Sequence, residues 1–344
     1  MKSYILLCVL LFLFSLFFLQ CTNDAKPYQS SPLDYKWSAD TIDGHLYSIW
    51  GGSSNNVYSV GWGNMYRFDG HSWTRVTLSI GSFSLYKIHG FSNSDIWAVG
   101  SLSYLVNDKI QDSSIILHNN GGGWYIALQG KSRMLFSIGG QQNNAWVGGI
   151  NKTFYSYDGK SFKRETLPNM YSGNDSIYSD IVSIAKGEND IVYALVYIHY
   201  LNSNAPDIRE VYMKNGNSSW IKSDSNLTYF SSRLWVNHSN ELIGLGNYPK
   251  IKRGSTWSNY LPFDTVSAIA IAGSSNNNLV VAGNTKSYPT YSAVYYYNGT
   301  NWTLIPALSF QEVRPLDIAY FDDQIFILCS VSNSGKTVIF KGHL

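Results

Sequence analysis

A chain of 344 residues can hold two ordinary domains or one large all-β domain. Aromatic residues reach 15% and charged residues only 14%, with a formal net charge of +2. Strand propensity is therefore high, and the scattered Lys and Arg exclude a nucleic-acid footprint.

The first predicted element is a targeting segment. Lys2 gives a positive start, and Ile5 to Leu19 is an almost unbroken apolar run. Such a run is short for a membrane span but suits a signal-peptide core. Cys21 follows, then a polar stretch from Thr22 to Asp34. The expected division is a signal peptide over 1–20, a lipid-anchor cysteine with a flexible tether over 21–34, and a folded domain over 35–344.

Apolar core, cysteine and polar tether together resemble a bacterial lipoprotein signal, in which Cys21 becomes the acylated N-terminus. Gln20 stands where Gly, Ala or Ser is usual in that pattern. Plain cleavage and retention as an uncleaved anchor are the alternatives. The implied location is the cell envelope, lipid-anchored to a bacterial membrane, or secretion. Cys8 lies in the signal, and Cys329 sits in the apolar run IFILCS. It reads as a buried small hydrophobe, and no Cys-based metal site is available.

The rest of the chain repeats itself. LYSIWGGSSNNVYSVG begins at Leu46, LYKIHGFSNSDIWAVG at Leu85 and LFSIGGQQNNAWVGG at Leu135. IVSIAKGENDIVYALV begins at Ile181, a degenerate LWVNHSNELIGLG at Leu234, VSAIAIAGSSNNNLVVAG at Val266 and LDIAYFDDQIFILCS at Leu316. Each unit reads as four strands. A short apolar strand leads through a Ser/Asn/Asp-rich turn to a second apolar strand that often ends in Gly. An alternating third strand then turns, often through Asp-Gly or Asn-Gly, into a fourth that begins with an aromatic residue.

The anchors are Trp73, Trp124, Phe162, Trp220, Trp257 and Trp302. Their spacing averages about 46 residues, the length of a four-stranded propeller blade. The last unit stops at VIFKGHL without a fourth strand, while YKWSADTI from Tyr35 is a fourth strand with its Trp37 and nothing before it. The N-terminal strand should therefore complete the last blade, giving a seven-bladed β-propeller with no ragged sheet edge. The degenerate fifth copy leaves six or eight blades open.

These units resemble two repeat families. The D/N-G-x-x-W hairpins look like a relaxed Asp-box, and Gly148-Gly149 followed by Tyr157 and Phe162 looks like Kelch. SNSDIWAVG, from Ser92 to Gly100, is similar to the repeat of bacterial secreted or lipoprotein propellers. The resemblance covers about 35–344. It implies a fold and leaves function open, because propellers host many unrelated activities.

No catalytic motif stands out. HExxH, GxSxG, P-loop and paired-His spacings are all missing from the sequence, and no cofactor is implied. The dispersed histidines, His45, His71 and His343 among them, read as turn or surface residues. A sialidase-like or other carbohydrate-active hydrolase is the enzymatic alternative. It needs an arginine triad for a substrate carboxylate, with Arg67, Arg133, Arg209, Arg233 and Arg314 as candidates. The early F/Y-R-I/L-P motif of sialidases is missing, and Asp69 and Asp158 read as turn formers.

Departures from the repeat point to a binding face. The first-to-second-strand turns are short and uniform. Insertions fall on the opposite side: 101–113 with Tyr104, 165–180 with Tyr171 and Tyr178, 199–209 with Tyr200, and 284–292 with Tyr288 and Tyr291. Loops on a rigid scaffold concentrate binding residues. Tyr offers rigid amphipathic area, and Asn adaptable hydrogen bonds. The expectation is a non-enzymatic binding or scaffold lipoprotein that engages an envelope protein or a glycan through this face. The competing reading is that these tyrosines only pack on each other.

Overall fold

A computed structural model describes residues 31–343 apart from 108, 132–133, 169–176, 201–205, 228–232 and 263. Cys8, Cys21, Tyr171 and Arg133 lie outside the described residues. The described chain forms seven four-stranded antiparallel sheets, six of them built from consecutive strands. The seventh joins the N-terminal strand Lys36–Asp43 to the final strand Lys336–His343, with Lys36 opposite His343 and Trp37 opposite Gly342. The expected seven-bladed, all-β propeller and its closure are both present.

The innermost strands of blades one to seven are Leu46–Ser53, Ser82–Ser92, Leu135–Gln141, Ile177–Lys186, Arg233–Val236, Val266–Ser275 and Val313–Tyr320. Blade five, the degenerate copy, keeps all four strands but shortens each to four residues.

The repeat's glycine at the end of the second strand has a steric cause. Six inner strands carry a bulge near their start, for example between Leu46 and Ser48 and between Leu85 and Lys87. A bulge bends the strand and crowds its partner. A Cβ at Gly61 would stand 1.8 Å from the His45 carbonyl oxygen, and one at Gly100 would stand 1.9 Å from that of Ser84. Both obstacles are backbone and cannot rotate away. Gly100→Ala is expected to cost about 2–3 kcal/mol, the upper end for overpacking. A urea titration of this variant checks it, and an unchanged midpoint would mean the inner strand yields.

The anchor aromatics start or adjoin the outer strands and reach across to the preceding blade. Trp73 meets Phe326 of blade seven edge-on at 6.1 Å, and Trp124 meets Tyr58 at 5.7 Å. Phe162 meets Trp97 at 5.7 Å, Trp220 meets Trp146 at 6.1 Å, and Trp302 meets Tyr260 at 6.1 Å. Trp257 packs in the cluster shared with Tyr193 of blade four, and Trp37 in that shared with Val280 of blade six. Edge-on aromatic pairs gain beyond the area they bury. Two indoles are also bonded across the blade boundary, Trp73 Nε1 to Asp40 at 3.1 Å and Trp257 Nε1 to Asp224 at 3.0 Å. Cys329 is buried, and burial pushes its thiol pKa up, as suits a core residue.

Candidate functional site

The inner strands set up one ring of equivalent positions around the channel. The residue after each bulge is Ser48, Lys87, Ser137, Ser183, Ala270 or Asp317. Arg233 takes this place in blade five. The next amide, that of Leu234, donates to Ser183 Oγ at 3.0 Å, just as Ile49 N donates to Asp317 and Ile88 N to Ser48. Serine or alanine fills four places, and the other three are charged.

Those three charges meet. Asp317 Oδ2 accepts from Ser48 Oγ at 2.7 Å, Lys87 Nζ at 2.8 Å and the Ile49 amide at 3.3 Å. Its Oδ1 accepts from Arg233 Nη1 at 2.7 Å and from its neighbour Ile318 N at 3.1 Å. One carboxylate thus links blades seven, one, two and five. Ala270, the smallest of the ring residues, occupies blade six between Arg233 and Asp317. Burial pushes the Asp317 carboxyl upward, but Arg233 and Lys87 outweigh it and hold the group well below the usual carboxylate range. Burial depresses the Lys87 ammonium, Asp317 opposes this, and Arg233 adds to it.

The cluster lines a cavity of about 450 Å³ within the channel. Its walls include Trp50, Trp235, Ile49, Ile138 and His89. His89 is depressed to about 4, first by burial and then by the Lys87 charge. The expectation that the histidines are turn or surface residues fails here, because an inner strand carries this one into the channel. It fails again at His118, whose ring stacks on Trp97 at 3.6 Å and bonds Asp95 at 2.8 Å and Tyr125 at 2.7 Å. Among the described residues, no group of three or more His, Cys, Asp or Glu could hold a metal ion.

Antiparallel order puts second-to-third-strand loops and blade-to-blade links on one face, and the other turns opposite. The short-turn face bonds to itself across blades. Ser54 Oγ donates to Asp323 at 3.0 Å, Asn56 to Asn93 at 2.8 Å, and the His238 amide to Asn276 at 2.9 Å. Asp69 and Asp158 accept from backbone amides two and three residues on, as turn formers do.

The long-loop face carries many of the exposed apolar side chains, and others, such as Tyr125, Ile126, Ile221 and Leu304, lie along outer strands. Tyr104 lies on the hairpin of Asp95–Val106 and Lys109–Asn119, beside Leu105 and Ile110, which are 70% and 76% exposed. Tyr178 is exposed and pairs with His199, one step from the pairing of Ile177 with Tyr200. Asp207, just before the strand Ile208–Asn215, accepts from Tyr197 and His199. Tyr288 is 97% exposed, and Tyr291 forms a bridge to Gln311. The tyrosines thus occupy blades two, four and six, with Tyr178 and Tyr200 on one ladder and Tyr288 and Tyr291 in one loop. Sequence reading missed Trp62 on this face, 63% exposed and stacked beside His45 at 6.2 Å.

The described arginine candidates do not converge. Arg67 bonds Asn56 at 2.9 Å, Arg209 lies over the Tyr197 ring at 4.5 Å, and Arg233 bonds Asp317. Arg314 lies in a separate surface recess with Glu312 and Asn284. The four described candidates therefore sit on blades one, four, five and seven.

The chain matches no protein-family model and no curated protein. Solved structures share its fold. YCF48 bound to a D1 peptide aligns with TM-score 0.62 at 15% identity, over 89% of this chain and 97% of that one. YCF48 from Cyanidioschyzon merolae aligns with TM-score 0.59 at 14% identity, over 89% and 98%. The Neurospora crassa Pan2 WD40 domain aligns with TM-score 0.57 at 10% identity, over 89% and 95%. At such identities the likeness speaks for the seven-bladed architecture alone.

Proposed function

We propose that this protein is a non-enzymatic binding or scaffold propeller that engages a protein partner through its long-loop face. The observation that carries the reading is the contrast between the faces. One is closed by hydrogen bonds between its own turns, and the other presents Tyr104, Leu105, Ile110, Tyr288 and Trp62 to solvent. Exposed aromatics on a rigid frame mark interaction sites. The separation of the arginines speaks against the sialidase-like alternative. YCF48, which has the same architecture, has been solved with a D1 peptide bound, and this supports a protein partner over a glycan.

The proposal includes a bacterial envelope location with the lipid anchor on Cys21. The outer strand of blade seven starts at Lys36 on the short-turn face. The test is capture from detergent-solubilised envelope with the Tyr104→Ser, Tyr200→Ser, Tyr288→Ser triple variant. Partner recovery should fall about tenfold, as for loss of interface hot spots, while Ser54→Ala on the other face leaves it intact. Equal recovery by the triple variant would overturn the reading. Cys21→Ser should move the protein out of the membrane fraction.

A further inference from the structure

The channel cavity has more cationic side chains than carboxylates. Lys87, Lys186 and Arg233 line it, against one carboxylate, Asp317. That carboxylate is already saturated, since its two oxygens accept from Ser48, Lys87, Ile49, Arg233 and Ile318. A carboxylate offers only about four lone-pair sites. The donors are not saturated. Among the described residues, Arg233 makes one side-chain hydrogen bond and Lys87 one, although their heads carry about five and three N–H groups. Lys186 donates only to the Gly187 and Asn189 carbonyls. The side chains of Lys87 and Arg233 keep 24% and 26% exposure.

Cations partly withdrawn from water without matching acceptors are costly. An anion that enters the cavity relieves that cost. The walls beside the charges are apolar and aromatic, and the cavity volume falls in the small-molecule range. We propose that the channel binds a small carboxylate with an apolar or aromatic body. Its carboxyl group sits on Arg233 and Lys87, and its body lies against Trp50, Trp235 and the inner-strand isoleucines. The site uses neither the long loops nor their partner, so it stands or falls separately.

The test titrates the purified protein with benzoate and, in parallel, with the neutral isostere benzamide, read by calorimetry and by tryptophan fluorescence. Benzoate should bind saturably in the millimolar range or tighter, and benzamide at least about tenfold more weakly, the worth of one charge-assisted hydrogen bond. Arg233→Met should abolish the preference for benzoate. If that variant fails to fold, Lys186→Met carries the reading, with about a threefold loss expected from removing one cation that makes no ion pair. Equal binding of the two probes, no saturation by benzoate, or unchanged affinity in a folded variant would each overturn the site.

Discussion

Alanine in place of Asp317 lowers the free energy of unfolding by about 3–5 kcal/mol, the range for removing one partner from a buried ion cluster. The loss has two sources. Ser48, Ile49 and Ile318 lose an acceptor, and a buried donor left unmade costs its desolvation. More important, Lys87 and Arg233 are left facing each other with no anion between them. Urea unfolding of the purified variant gives the number. Asn in the same place keeps an acceptor but removes the charge, so it should lose roughly half as much, as neutral hydrogen bonds are about half as strong as charge-assisted ones. A loss below about 1 kcal/mol for alanine, the worth of an exposed pair, would mean that water in the channel replaces the carboxylate. The four blades would then be held without it.

The architecture was legible because it is written in local, repeated signals. Gly at the end of strand two makes room for the bulge opposite in blades one, two, three and six, while blades four and seven place Val196 and Cys329 there. An aromatic at the start of strand four is forced by the gap between sheets. Trp37 without a preceding strand, and VIFKGHL without a following one, define the closing pair before any coordinate is known. The charged cluster carried a signal too, a departure at one place of the repeat. LYSI, LFSI and IVSI have Ser where LYKI has Lys87 and LDI has Asp317. It went unread because a charge inside a short strand ordinarily faces water. The partners are also distant, 230 residues apart for Lys87 and Asp317 and 84 for Arg233 and Asp317. Only ring closure brings such positions together. Arg233 was harder still, because blade five is the degenerate copy and its inner strand offers only the four residues Arg233–Val236 to align with the others. Trp62 is adjacent to the closing Gly61 and belongs to no insertion, so insertion length could not flag it.

His89 should make the protein acid-sensitive in a window above the carboxylates. Unfolded, the ring titrates near 6.5; folded, it is held neutral down to about 4. Between these values the unfolded chain binds more protons. Stability is therefore complete above about pH 6.5 and falls as the pH drops toward 4. Fully expressed, the shift is worth about 3 kcal/mol, an upper bound because the ring keeps some accessible area toward the channel. The groups facing it fix the sign. Burial and the Lys87 charge both oppose a proton on the ring, and Asp317, the one group favouring it, is already committed to two cations. Asp317 adds slope only below about pH 5, where the unfolded carboxyl begins to protonate while the folded one stays ionised, and this contribution is common to the parent and the variant compared below. Gln in place of His89 keeps a polar side chain that cannot titrate. Its unfolding free energy should be nearly flat between pH 7 and 4.5 relative to the parent, with the other histidines cancelling in the comparison. Parallel curves for the two proteins would mean that channel water solvates the imidazolium, and the acid limb would then belong to other groups.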